Sequence, residues 1–173
     1  MAREPRELTL RAVATGFAIG LVLTAAVTYL ALYSGLAISA AVPGALLSTG
    51  LLRARANGGN ILENNIAQTI ASAGEALAVG MVFTIPALVI AGLRPAIGYW
   101  EVSAAAVLGG VLGVLFMIPL RRPLVVESTE LHYPESVACA KIAEAGDTGP
   151  GSLLPALLAM VGAIVFRGLV SVV

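Results

Sequence analysis

The sequence predicts an all-α fold, a polytopic transmembrane helical bundle, and three observations carry that prediction. Of 173 residues, 58% are hydrophobic and 12% charged, with mean hydropathy +0.95. Soluble domains run at about 45–50% apolar and about 25% charged, so too few charges remain here to coat a water-facing surface. Several apolar runs reach about 18 residues or more, enough to cross a hydrocarbon core of about 30 Å as a helix. The cations also segregate, eight to one side of the predicted spans and one to the other.

About five spans follow in order, near 12–33, 36–52, 61–91, 102–120 and 152–173, all in one transmembrane domain. The first follows Arg3, Arg6 and Arg11 and carries Tyr29 and Tyr33 near its far end, where aromatic rings favour the interface. It is too long for the apolar region of a cleaved signal, and the segment before it mixes both charge signs. Ser34-Gly35 permits a tight turn into the second span, and Pro43-Gly44 near its middle predicts a kink, because proline removes a donor and crowds the preceding turn. Ser39 and Ser48 are placed either to satisfy freed carbonyl groups or to pack helices.

The third segment follows Arg53, Arg55 and the loop Asn57-Gly-Gly-Asn60. At about 30 residues it exceeds the roughly 20 needed to cross. Either its first turns stand outside the bilayer or it is two half-helices, with Gly74-Glu75, Gly80 and Pro86 as weak points. A turn at 93–98 leads to the interfacial anchor Tyr99-Trp100-Glu101 and the fourth span, where Gly109 and Gly113 form a G-x-x-x-G pair suited to close helix contact. Arg121-Arg122-Pro123 ends that span. Residues 121–151 read as a polar connection in which Ser136 to Ala145 form a short amphipathic helix.

With the N-terminus inside, Arg3, Arg6, Arg11, Arg53, Arg55, Arg121, Arg122 and Lys141 gather on the cytoplasmic side and Arg94 alone lies outside, while Arg167 falls within the last span. That bias predicts a multi-pass protein of the cell membrane with a cytoplasmic N-terminus. Zero net charge gives no argument for nucleic acid. Cys139 and His132 are the sole cysteine and histidine, which leaves no disulfide or zinc cluster within the chain, and no metal or cofactor is predicted. No P-loop, His-Glu-x-x-His or Gly-x-Ser-x-Gly motif occurs, so no enzymatic activity is predicted. His132 is expected in solvent and Cys139 packed among small residues.

The polar start of the third segment is where function is expected. On a helix turning about 100° per residue, Asn60, Asn64, Gln68, Ser72 and Glu75 share an arc of about 120°, which Asn65 and Thr69 widen. Ile66, Ile70 and Ala73 face away, and Glu63 points elsewhere, toward a solvated or capping role. One face thus suits water or a hydrophilic solute. The competing explanation is helix glue, favoured for Thr69 and Ser72, since interhelical amide and hydroxyl bonds contribute about 0.6–2 kcal/mol. Glu75 lies at mid-span, where an acidic residue costs about 2.5–3.5 kcal/mol and is usually paired, protonated or facing a wet cavity.

Three blocks of this chain resemble the oligopeptide transporter (OPT) family, which includes the yellow-stripe-like metal-chelate transporters. They are Tyr29-Leu-Ala-Leu-Tyr-Ser-Gly-Leu-Ala-Ile-Ser39 with Pro43; Asn60-Ile-Leu-Glu-Asn-Asn-Ile-Ala-Gln-Thr-Ile-Ala-Ser-Ala-Gly74 with Phe83-Thr-Ile-Pro86; and Pro119-Leu-Arg-Arg122 with Tyr133-Pro-Glu-Ser-Val-Ala-Cys-Ala140. The second block is the most specific, and the pattern is similar to the prokaryotic branch. The third departs from the family near His132 and Ser136, where Pro and Gly are expected.

The resemblance implies a secondary transporter, proton-coupled, that carries short peptides or peptide-like metal chelates. Its members are several times longer, so the chain is expected to be an N-terminal piece whose remaining helices complete the bundle. A homo-oligomer is compatible with this reading. Asn60, Asn64, Asn65, Gln68, Thr69, Ser72 and Glu75 would line the substrate and proton pathway, with Glu75 exchanging the proton. A broken third span would offer the dipole of a half-helix to a substrate terminus. The alternatives are a non-transporting membrane module, whether truncated product or assembly subunit, and a passive channel.

Overall fold

Parallel packing of the first and third helices sets the frame on which the other elements hang. The computed structural model describes residues 8–54, 60–93, 97–128, 130–148 and 150–172, and among them it is helical without strands. The helices are α1 (Leu10–Ser34), α2 (Ala41–Ala54), α3 (Ile61–Ile90), α4 (Tyr99–Arg121, extended by a π-helical turn Arg122–Val126), α5 (Pro134–Thr148) and α6 (Pro150–Val172). Arg3, Arg6, Arg55 and Arg94, which enter the charge-bias count, and the loop 57–59 lie outside the described residues.

Thr9 starts α1 by accepting the Ala12 N–H on its hydroxyl at 3.2 Å. Gly35 ends it in the left-handed region, φ 71°, with its N–H on the Ala31 carbonyl at 2.9 Å. A side chain is strained there, which is why glycine stands at the turn. Along the helix, Ala12, Gly16, Ile19, Gly20, Val27 and Ala31 are buried, mostly small residues interrupted by Ile19 and Val27. A Cβ on Gly16 would lie 2.8 Å from the Ala67 carbonyl oxygen, and one on Gly20 3.2 Å from the Ala71 Cα. Thr24 lies against Gly74. These pairs, with Thr9 against Glu63, advance together along both chains, so α1 and α3 run parallel with backbones nearly touching.

Because both helices ascend, the chain between them must return. It does so in two stages. Residues 36–40 are non-helical and lead back toward the bundle's middle, where Ala40 meets Glu75; α2 then runs only from Ala41 to Ala54. Fourteen residues give about 21 Å of helix, short of a hydrocarbon core of about 30 Å. The expected second span, 36–52, is therefore a short non-helical lead, 36–40, followed by helix. Pro43 sits in the first turn of α2, where its missing N–H has no intrahelical partner to lose, so it produces no mid-span kink. Ser48 donates to the Ala45 carbonyl at 3.1 Å, within its own helix.

The third segment is a single helix of 30 residues, continuous through Gly74, Glu75, Gly80 and Pro86. The break that its length suggested is absent from it and lies instead before α2. α3 is long and apolar enough to cross a membrane, as are α1 and α4 with its π turn; α6 has a shorter apolar stretch, Leu153–Phe166. Gly92, at φ 69°, closes α3. No described residue of α4 is buried, and a Cβ added at Gly109 or Gly113 would meet nothing within 4 Å, so among the described residues their expected close contact is not made.

The polar connection is only partly a connection. After α4 the π turn is closed by the Glu127 N–H on the Arg122 carbonyl at 2.9 Å, a wider ring at the point where Pro123 cannot donate. Tyr133 donates its hydroxyl to the Leu124 carbonyl at 3.0 Å and ties the start of α5 to the π turn. α5, longer than the amphipathic helix expected, then docks on α2 and α3. Gly146 admits the Thr49 side chain, and Arg53 pairs with Asp147 at 2.7 Å. Ser39 near one end of α2 bonds Glu135 near the start of α5, so α2 and α5 lie parallel.

The two glycines of α1 rank themselves. Gly16→Ala forces a methyl group onto a backbone oxygen and is expected to cost about 1–3 kcal/mol, as overpacking does. Gly20→Ala, with more room, is expected to cost less. Melting temperatures of the two variants in one detergent test the order; equal values would contradict the tight contact at Gly16.

Candidate functional site

Between α3 and α5 the bundle opens into a groove of mixed polar and apolar lining, made of two adjoining cavities. The first, about 450 Å³, is lined by Ile61, Leu62, Asn65, Gln68 and Thr69 of α3 and by Ser136, Cys139, Ala140, Ala143 and Glu144 of α5. The second, about 390 Å³, adds Ala41, Ser72, Ala73 and Glu135 to the shared Gln68, Thr69, Ser136 and Cys139. The lining runs from Ile61 beside Glu144 to Ser72 beside Glu135, so α5 descends as α3 rises.

Four of the seven expected pathway residues meet here: Asn65, Gln68, Thr69 and Ser72. Thr69 donates its hydroxyl to the Asn65 carbonyl at 2.7 Å, one turn back. The Ser72 Oγ is buried without a partner among the described groups. The other three sit elsewhere. Asn60 precedes α3, and its N–H points to Glu63 Oε2 at 3.4 Å. Asn64 and Glu75 belong to the buried stripe Asn64, Ala67, Ala71, Glu75, whose alanines face the glycines of α1.

The division follows from helix geometry. Steps of four residues advance about 40° beyond a full turn, so an arc of about 120° drawn along α3 passes from one neighbour to the next. Asn64 is 1% exposed, and neither its Oδ1 nor its Nδ2 has a hydrogen-bond partner among the described residues.

Glu75 is 6% exposed, and its Oε1 accepts the Ala40 N–H at 2.7 Å. It thus serves the start of α2, where backbone N–H groups lack helical acceptors and the helix dipole favours an anion. At the same end the Ser39 hydroxyl accepts the Ala41 N–H at 3.3 Å and donates to Glu135. Two carboxylates on two neighbouring helices therefore hold one helix start at mid-depth, about 21 Å along α3 from Ile61.

Glu63 caps, as expected, but it is buried rather than solvated. Its Oε1 accepts the Thr9 hydroxyl at 2.6 Å and its Oε2 lies 3.6 Å from Arg11 Nη2. This cluster ties the starts of α1 and α3. His132 is exposed, and Cys139 is buried in the groove wall. Among the described residues no group of three or more His, Cys, Asp or Glu is placed to hold a metal ion.

Sequence reasoning missed the α5 half of the groove and the role of residues 39–40. A signal existed in the spacing of Ser136, Cys139, Ala140 and Ala143, small residues on one helical face. For Ala40 there was none, because a backbone N–H has no residue signature.

Comparison with known proteins places these features in context. The sequence profile described as "OPT oligopeptide transporter protein" matches residues 7–172. A protein of Haemophilus influenzae named "Putative oligopeptide transporter" is 44% identical over 71 residues, which cover 41% of this chain and 11% of that protein's own length. No solved structure matches the chain.

The two buried polar groups of the α3 start should respond oppositely to an apolar substitute. Glu63→Leu strands Thr9, Arg11 and the Asn60 N–H and is expected to lower stability by about 1–3 kcal/mol. Asn64→Leu removes two unpaired polar atoms and is expected to leave the melting temperature unchanged or raise it. A loss for Asn64→Leu as large as for Glu63→Leu would show that Asn64 is bonded in the folded protein.

Proposed function

The chain belongs to the oligopeptide transporter (OPT) family, and from that premise we propose that the α3–α5 groove is part of a path for short peptides or peptide-like metal chelates moved by secondary, proton-coupled transport. The observation that carries this reading is the groove itself. Amide, hydroxyl and carboxylate groups line a wall between the first half of the long, largely apolar α3 and the more polar α5. Such groups are costly within a membrane and mark solute routes. Asn65 and Gln68 offer both donors and acceptors, the complement of a peptide backbone, while Thr69, Ser72 and Ser136 offer hydroxyl groups along the same wall.

Glu75 is the proposed proton-exchanging group. It is a buried carboxylate, separated from the groove by the turn of α3 that carries Ser72. The proposed setting is the cell membrane with the N-terminus cytoplasmic. In support, the described Arg11, Arg53, Arg121 and Arg122 lie at helix ends on one side of the bundle, and the aromatic pairs Tyr29–Tyr33 and Tyr99–Trp100 at the other.

Purified full-length protein in liposomes, given an inward proton gradient and a labelled tripeptide, tests the reading. Uptake is expected to follow the gradient, and Gln68→Leu to weaken apparent affinity about tenfold, the loss of one contact of about 1.4 kcal/mol. Gradient-driven uptake by Glu75→Gln at wild-type rates would remove Glu75 as proton carrier. Uptake indifferent to the gradient would favour a passive channel. Cys139 supplies a separate check: bound peptide is expected to slow its alkylation by a maleimide, because its thiol forms part of the groove wall.

A further inference from the structure

We propose that the non-helical lead 36–40 reads the backbone of a bound peptide, its unpartnered N–H and carbonyl groups pairing with the amides of the solute. The inference takes its solute from the transport reading and extends the path beyond the α3–α5 groove.

The register of α1 against α3 fixes the shape of the lead. Gly20 lies against Ala71 and Thr24 against Gly74. Continued to the end of α1, that register sets Ser34 level with Thr84, whereas Ala40 is bonded to Glu75, about 13 Å nearer Ile61. Helix over the steps from Ser34 to Ala40 would cover only about 9 Å, while extended chain reaches up to about 20 Å. The lead is therefore drawn out rather than coiled. Both of its ends are fixed. The Gly35 N–H holds the Ala31 carbonyl, and Ser39 and Ala40 are held by Glu135 and Glu75.

Between those anchors the backbone is free. Leu36 N–H reaches the Ser34 hydroxyl at 3.2 Å, but among the described residues the N–H groups of Ala37, Ile38 and Ser39 find no acceptor and the carbonyls of 36–39 no donor. Residues 36–39 are all exposed. Irregular backbone at membrane depth persists only where protein buries it or a wet cavity borders it. The cavity is at hand. Ala41, the next residue after the lead, forms the wall of the deeper cavity with Ser72 and Ser136, and the lead prolongs that wall toward the far end of α1.

An anchored, extended segment with free donors and acceptors is an edge that an extended peptide can complete. Such pairing reads main chain and is indifferent to side chains. A solute without peptide groups gains nothing from it, so the lead favours peptides over chelates that lack amides.

Hydrogen exchange read by mass spectrometry on full-length protein in nanodiscs, with and without trialanine, is the test. The Ala37–Ser39 amides are expected to exchange readily in the free protein and at least about threefold more slowly with trialanine bound. By calorimetry, trialanine methylated on its amide nitrogens is expected to bind about tenfold more weakly than trialanine, and triserine within about threefold. Ala37→Pro and Ile38→Pro each delete one free N–H from a segment whose extended form tolerates proline. Successive donors point to opposite edges, so at least one of the two variants is expected to lose about tenfold in trialanine affinity. Amides already protected in the free protein would mean that another part of the chain covers the lead, and would overturn the proposal. So would exchange unchanged by trialanine, full affinity for the methylated peptide, or wild-type affinity in both proline variants. If the proline variants do not fold, the exchange and methylated-peptide results decide. Protection of the lead without gradient-driven uptake would reject the transport reading and leave this one standing; uptake with the lead unprotected would do the reverse.

Discussion

A backbone N–H inside a bilayer must find an acceptor, and the start of α2 is where that constraint bears hardest on this chain. A helix that begins at the interface can leave its first donors to water. One that begins at mid-depth cannot. The buried Glu75 carboxylate meets Ala40 there, and Ser39 meets Ala41 and Glu135. Without these acceptors the chain would have to extend α2 upward into a full span or withdraw it, and either change would remove the wall that Ala41 gives to the groove.

That arrangement depends in turn on the contact between α1 and α3. Apolar side chains gain little from leaving lipid for one another, so close backbone approach does the work that the hydrophobic effect does in water. Gly16 and Gly20 allow it, and the cluster in which buried Glu63 meets Thr9 and Arg11 fixes the register at one end. Register then sets depth. With α1 and α3 locked in parallel, Glu75 stands at one height, and the lead from Gly35 reaches it in the few residues available.

Much of this was legible in the sequence, and the gaps have physical reasons. The three helices long and apolar enough to cross a membrane followed from apolar run length, and the capping role of Glu63 from its place three residues after Asn60. The polarity of Asn65, Gln68, Thr69 and Ser72 was read on the right helix, and the structure gives all four a shared groove. Of the two readings of the long third segment, an overhanging helix or two half-helices, the structure shows a continuous helix, and the non-helical stretch lies before α2. Gly74, Gly80 and Pro86 are tolerated in a helix whose neighbours hold it, whereas the five residues before Ala41 carry no conspicuous breaker once Gly35 is passed. Likewise the pair Gly109 and Gly113 satisfied the motif for close contact yet meets no partner helix among the described residues, while Gly16 and Gly20 make that contact.

The sequence by itself determined the class of fold, because composition and apolar run length are sums over residues that no packing can alter. It determined where polarity concentrates, because side-chain identity and helical period are local. Only the tertiary structure decided which neighbour each polar group faces. A helical arc touches several partners as it climbs, so Asn64 turns inward with the alanines, Gln68 opens onto α5, and Glu75 binds a backbone amide 35 residues earlier in the chain. That last bond joins a side chain to a group every residue possesses, and so it is written in the depth at which two helices lock rather than in any motif.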